Sequence, residues 1–241
     1  MSPPSYSALR LKYVPVVAVA TIAVVLGAVF GPQLWAKHIL KRHSRHRDEI
    51  PGTGGEFAVH LIENSKLDGV TVEKVSQGDH YDPIEKVVRL SEAVYDGKSL
   101  TAVVVAAHEV GHAIQDKFDY APLKFRTRLV RLSAVSERFG AIILIALPFM
   151  TALTRMPATG ALMLVLGLSV LLIPVAVHLV TLPVEFDASF RRALPILALG
   201  YVPHDELPAA RRILTACALT YVAASLAAVL NFWRWIYFLR R

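Results

Sequence analysis

Four stretches of this 241-residue chain contain no Asp, Glu, Lys or Arg: Tyr13 to Ala36, Phe139 to Thr154, Met156 to Val184 and Ile213 to Trp233. A helix crossing a hydrocarbon core of roughly 30 Å needs about 20 residues, within a range of about 17–25. The first, third and fourth stretches meet that length. The second is short, and a short span, a tilted partner of the third stretch and a re-entrant turn all stay open for it. Composition points the same way. The chain is 54% hydrophobic and 19% charged, against about 45–50% and about 25% in soluble domains.

The first stretch exceeds a signal-peptide core of about 7–15 residues and ends at Gly31-Pro32-Gln33 without a small-x-small site, so it reads as an uncleaved anchor. Lys37, Lys41, Arg42, Arg45 and Arg47 follow it, whereas only Arg10 and Lys12 precede it, which predicts residues 37–138 on the cytoplasmic side. The net charge of +7 gathers beside apolar segments, as topology determinants do, and not in a nucleic-acid footprint. The single cysteine, Cys217, excludes an intrachain disulfide and any multi-cysteine metal site.

Five segments follow from this reading. Residues 1–36 are an N-terminal transmembrane anchor, 37–138 a soluble region, 139–184 a transmembrane hairpin, 185–212 a cytoplasmic segment and 213–241 a C-terminal transmembrane helix. Within 37–138, Thr53-Gly54-Gly55-Glu56 predicts a capping box opening a helix through about Asn64. Residues 70–75 and 86–90 predict strands, with turn chemistry over 78–83 between them. A helix is predicted from near Ser99 to Gln115.

That helix carries His108-Glu109-Val110-Gly111-His112. Positions i and i+4 share a helix face, so two imidazoles can reach one ion at about 2.0–2.1 Å each. Glu109, about 100° further round the helix than His108, points where an attacking water would sit and can exchange a proton with it. Gly111 leaves room near the metal. Catalytic zinc generally takes three protein ligands. No histidine follows at the short metzincin spacing, because Asp116, Lys117, Phe118 and Asp119 occupy that region. The candidate third ligand is Glu185, the first charge after the third uncharged stretch. A hairpin crossing twice would return it to the side of His108 and His112. A carboxylate snorkelling at the helix end after Pro183 is the alternative.

Several runs carry a wider likeness. Asp79-His80-Tyr81-Asp82-Pro83, Val87-Val88-Arg89-Leu90-Ser91-Glu92, Ala106 to Gln115, Leu179 to Phe186 and Ala218 to Ala224 resemble the YugP-type family of bacterial membrane zinc metallopeptidases. That family is similar to the integral-membrane gluzincins such as HtpX. The resemblance implies Zn2+ held by His108, His112 and Glu185, with Glu109 as general base. Those relatives carry Glu-x-x-Ala-Asp, whereas Ser189 stands here in place of the final acid. The group orienting the zinc histidines is therefore unassigned, and Asp187 lies two residues from Glu185, on the wrong face of an α-helix.

Other residues keep two readings. His80 and Tyr81 are candidates to steady a tetrahedral oxyanion, or else hold a turn. Tyr221 could do the same or pack. Arg191 is a candidate substrate contact or a topology charge. The strand at 86–91 is a candidate edge for an extended substrate.

The expected fold is a mainly α membrane protein of three to four transmembrane helices with a small α+β cytoplasmic zincin-like catalytic element. The expected activity is zinc-dependent endopeptidase chemistry at the bacterial inner membrane. Its partners would be the lipid bilayer and peptide or protein substrates, membrane proteins among them. A catalytically silent metal-binding membrane scaffold is the alternative. A transporter is disfavoured, because the ionisable residues gather at one edge and not along a midplane path.

Overall fold

The computed structural model describes residue 19, residues 23–24 and 26–27, residues 30–76 and residues 78–220. Residues 30–42 are helical (α1). The next helix, α2 (Gly54–Asn64), opens on the predicted capping box. The Thr53 hydroxyl accepts the Glu56 N–H at 3.2 Å, and the Glu56 carboxylate accepts the Thr53 N–H at 2.8 Å. Ala58, Leu61 and Ile62 form its buried face.

Three strands follow: β1 (Thr71–Val75), β2 (His80–Asp82) and β3 (Val87–Ser91). The sheet order is β1-β3-β2. β3 pairs parallel with β1, Thr71 opposite Val87, and antiparallel with β2, Tyr81 opposite Val88. Two expectations change here. The segment read as turn chemistry contributes a strand, because His80–Asp82 completes the far side of β3. β3 is also the central strand, with neighbours on both sides, and so offers no open edge for a substrate.

After the short α3 (Glu92–Tyr95), Ser99 caps α4 (Leu100–Lys117), its hydroxyl accepting the Ala102 N–H at 3.1 Å. Every residue of α4 from Leu100 to Gln115 is buried. A helix apolar over most of its circumference has to lie inside a structure and not on its surface. Here α2, α3, the sheet and a later helical segment all pack on it.

Two long helices come next, α5 (Ala121–Thr154) and α6 (Pro157–Phe186), each with proline in its first turn. Pro fits there because that N–H has no helical partner. Arg155, in the left-handed region at φ 51°, turns the chain between them. α6 runs on into a π-helical segment, Asp187–Ala193, then α7 (Leu194–Ile196) and a second π segment, Leu197–Tyr201. Gly200, at φ 109°, breaks this helix. A 3-10 turn (His204–Glu206) leads into helical residues 207–220 (α8). Ala210, Ile213 and Leu214 of α8 are fully buried. Arg47 ties the start of this unit to the loop after α1 through two contacts to Glu206, at 2.5 and 2.7 Å.

Among the described residues no helix is long and apolar enough to cross a membrane. This overturns the expected three to four transmembrane helices; the mainly helical architecture with a small sheet stands. In α5 the reason is charge. Lys124, Arg126, Arg128 and Arg131 fill its first half, and the uncharged run 139–154 falls short of the about 20 residues that a span needs. Most of the first predicted span, and the last beyond residue 220, lie outside the described residues.

The α2–α3–α4 packing depends on a missing side chain. A Cβ on Gly54 would stand 2.3 Å from the Val94 carbonyl oxygen and 3.0 Å from that of Ala102. Both are backbone atoms and cannot swing aside. Gly54→Ala is expected to destabilise the fold by about 1–3 kcal/mol, the usual cost of overpacking, read as a lower midpoint in chemical denaturation.

Candidate metal centre

His108 and His112 lie one turn apart on α4, their rings edge-on with centroids 4.8 Å apart. Facing them is Glu185, in the last turn of α6, which the hairpin delivers 73 positions beyond His112. Glu185 Oε2 is 3.2 Å from His108 Nε2 and 3.4 Å from His112 Nε2. All three side chains are buried, and neither Glu185 oxygen has a hydrogen-bond partner among the described residues. A carboxylate sealed from water without such partners needs positive charge close by.

The donor set suits a metal ion. Ligand atoms at tetrahedral positions about 2.0–2.1 Å from zinc lie about 3.3–3.4 Å apart, close to the 3.2 and 3.4 Å separations here. The three ligand atoms fall within 4.8 Å of one another. These are the three residues that sequence reasoning nominated as ligands.

The groups that orient the histidines are now visible. The Ser189 hydroxyl lies 3.1 Å from His108 Nδ1 and donates to the Leu214 carbonyl at 3.4 Å. A hydroxyl that gives its proton away can accept one from Nδ1, which leaves His108 Nε2 as the bare donor atom. Gln115 does the same for His112. Its Oε1 lies 3.0 Å from Nδ1, while its Nε2 donates to the Val184 carbonyl and to Asp187 Oδ2, both at 2.8 Å. Arg192 Nε donates to the same Asp187 oxygen at 3.2 Å. Asp187 therefore acts on His112 through Gln115, and Ser189 contacts His108 directly.

Asp187 and Ser189 both lie in the π segment, whose i→i+5 hydrogen bonds widen the helix. Close approach does the rest. A Cβ on Gly111 would stand 2.9 Å from the Ala188 carbonyl oxygen and 3.4 Å from Arg192 Cβ. Gly111 thus makes room for the backbone of the π segment and not for the metal itself.

Glu109 is buried beside the histidines, and burial pushes its carboxyl up to about 7, with His108 pulling the other way and Glu185 adding to the rise. At Glu185 burial also pushes upward, but His112 and His108 outweigh it and hold the carboxyl well below the usual range. Arg126, on α5, brings Nη1 to 3.6 Å from Glu185 Oε1.

A cavity of about 230 Å³ opens beside His112, between β2 and α5. His80 lines it, as does Tyr81. The Tyr81 hydroxyl, however, donates to Asp116 Oδ2 at 2.9 Å, and burial together with that bond raises its pKa. Arg191 faces a different hollow, shared with Tyr120, Pro183 and Phe186. Tyr221 lies outside the described residues. Sequence reasoning passed over Gln115 and Arg126, and named Ser189 only as standing where an acid was expected. Gln115 and Ser189 carried a signal, at three residues after His112 and four after Glu185, but Arg126 had none.

Fold and site together define a helical protein whose buried His-His-Glu set is suited to a divalent cation. Comparison with known proteins agrees. Residues 17–240 match the family described as "Putative neutral zinc metallopeptidase", and the chain belongs to that family. It is 38% identical over 215 residues to "Putative membrane protease YugP" of Bacillus subtilis (strain 168), covering 88% of this chain and 91% of that protein. No solved structure matches the chain at a significant level. The resemblance read from the sequence is thereby shown.

Removing a group that orients a metal-bound histidine lowers metal affinity about 10–100-fold. Gln115→Leu should show a loss of that size in zinc affinity, measured by chelator competition, with the helical circular dichroism unchanged.

Proposed function

We propose that this chain is a zinc-dependent endopeptidase in which His108, His112 and Glu185 hold the ion and Glu109 is the general base. The observation that carries the reading is the pair of separations, 3.2 and 3.4 Å, between Glu185 Oε2 and the two Nε2 atoms. Zinc bound there would supply Lewis acidity toward a peptide carbonyl and an activated water at neutral pH.

The remaining chemistry belongs to the chain's own residues. Ser189 and Gln115 fix both imidazole rings, so little reorganisation is needed when substrate arrives. Glu109 takes the proton of the attacking water and returns it to the leaving amine. It projects from the same rigid helix as the two histidines, so its distance from the reacting atoms is set by backbone and not by a loop. Burial of α4 keeps bulk water from competing for these groups. The cavity beside His112 admits substrate, and β2, as the sheet's outer strand on that side, is the edge along which an extended chain can lie. His80, on that strand, is placed to contact a substrate carbonyl.

Substrates in this reading are peptides or proteins, membrane proteins among them. The relative is named a membrane protease, and association with a membrane is carried to this chain on that likeness. Exposed Phe139, Ile142, Ile145, Phe149 and Leu153 on α5 support it.

The reading is tested with purified, zinc-loaded protein. Glu109→Gln should keep about one zinc per chain while peptide turnover falls by about 10²–10⁴-fold. His108→Ala and Glu185→Ala should lose the metal. Full zinc occupancy in Glu185→Ala would sink the ligand set. Zinc binding without any turnover by the unaltered protein would point to a silent scaffold.

A further inference from the structure

The end of α1 and the loop after it carry a concentration of positive charge that the metal centre does not use. α1 turns Ala36 and Ile39 inward, both buried, and Leu40 packs against the same core. At about 100° per residue, the opposite stripe runs Phe30, Leu34, Lys37, His38 and Lys41, all exposed. It is apolar at its start and cationic at its end. Trp35 is exposed beside it.

A hollow of about 910 Å³ opens at the cationic end. Apart from Ser44 its walls are basic: His38, Lys41, Arg42, His43, Arg45 and Arg47. Arg47 is engaged by Glu206. Lys41, Arg42 and Arg45 are exposed, and their side chains make no hydrogen bond or ion pair with any described residue. Arg212, exposed on α8, adds its field to the same place. Burial lowers the His43 pKa, and Arg42, Arg47 and Arg212 lower it further against a smaller pull from Glu206. The other acids nearby are directed elsewhere. Asp48 contacts His46 at 3.1 Å, and Glu49 lines a separate hollow with Phe57 and Tyr201.

The cluster is fixed in place. The carbonyls of Leu40 and His43 accept from the Thr101 hydroxyl and N–H at 2.8 and 3.2 Å, and the Arg47 N–H donates to the Lys98 carbonyl at 2.9 Å. Tied in this way to the start of α4, the loop holds together like charges that repel one another. An anionic partner removes that cost.

We propose that this face binds an anionic lipid headgroup at a membrane surface, with Lys41, Arg42 and Arg45 on the phosphate and Phe30, Leu34 and Trp35 entering the interfacial layer beside it. Clustered Lys and Arg attract acidic lipids, and Trp with aliphatic neighbours favours the interface. A nucleic acid would satisfy the same cations but has no use for the apolar half of the stripe. The proposal names a lipid class for the membrane association inferred above, and needs neither the metal nor turnover.

The test exposes the purified full chain, in nonionic detergent micelles, to a mixture of phosphatidylglycerol and phosphatidylcholine and reads the retained lipid by native mass spectrometry. Each Lys or Arg near an acidic surface contributes about fivefold in affinity. Phosphatidylglycerol should therefore be held over phosphatidylcholine by on the order of 100-fold. Lys41→Gln with Arg42→Gln should cut that preference by about 25-fold, with helical circular dichroism and zinc content unchanged. Phe30→Ser with Leu34→Ser should weaken retention of both lipids alike. Equal retention of the two lipids overturns the headgroup assignment while membrane association stands; retention of neither overturns both. A preference untouched by the double glutamine variant also overturns it. So does displacement of phosphatidylglycerol by inorganic phosphate at equal concentration, which makes this a site for the free ion. Displacement by a DNA duplex that binds the Phe30→Ser, Leu34→Ser variant undiminished assigns the face to nucleic acid instead.

Discussion

Glu185 is a fully buried carboxylate set against two imidazoles, and most of the structure can be understood as what it takes to keep it there. Taking an ionised carboxylate out of water costs several kcal/mol unless opposite charge meets it. A cation shared between Glu185 and the two imidazoles would supply it. α4 holds those imidazoles on a helix enclosed by α2, α3, the sheet and the π segment. Nothing on a surface helix could hold two histidines so firmly against a partner more than 70 residues distant in the chain.

Two backbone devices bring the partners into range. Gly111 lets the π segment approach until the Ala188 carbonyl nearly touches α4. The wide turns of that segment then present Ser189 to His108, and Asp187, by way of Gln115, to His112. π-Helical turns are uncommon and cluster at functional sites. Here Glu185 and Ser189 face the histidines directly, and Asp187 reaches His112 only through Gln115.

The legible part of this site was the part that repeats within one helix. His108, Glu109 and His112 declare themselves because their spacing equals a helical turn, and Thr53 with Glu56 declares a helix start for an equally local reason. Glu185 was reachable by its position as the first charge after a long uncharged run. Ser189 was noticed only as a departure from relatives, and Gln115 went unremarked although it lies three residues from a histidine. Arg126 and the outer position of β2 were invisible, since both depend on how α5 and the sheet pack against α4. Membrane spans read from uncharged stretches fared worst. Absence of charge measures local composition, and α5, whose first half is charged, shows how a helix can outrun its uncharged stretch; no described helix is long and apolar enough to cross a bilayer.

The sequence by itself determined the helix that carries His108 and His112, the three side chains of the candidate donor set and the family likeness, because each is written in short-range spacing or contiguous motifs. The tertiary structure decided which groups contact the histidines, where the cavity beside His112 lies, and which side chains line it. Those outcomes depend on how α4, α5, the sheet and the π segment pack, with a close backbone contact at Gly111. Helix register shifts and close approach arise only when separate segments pack, and residue types along a single chain do not encode them locally.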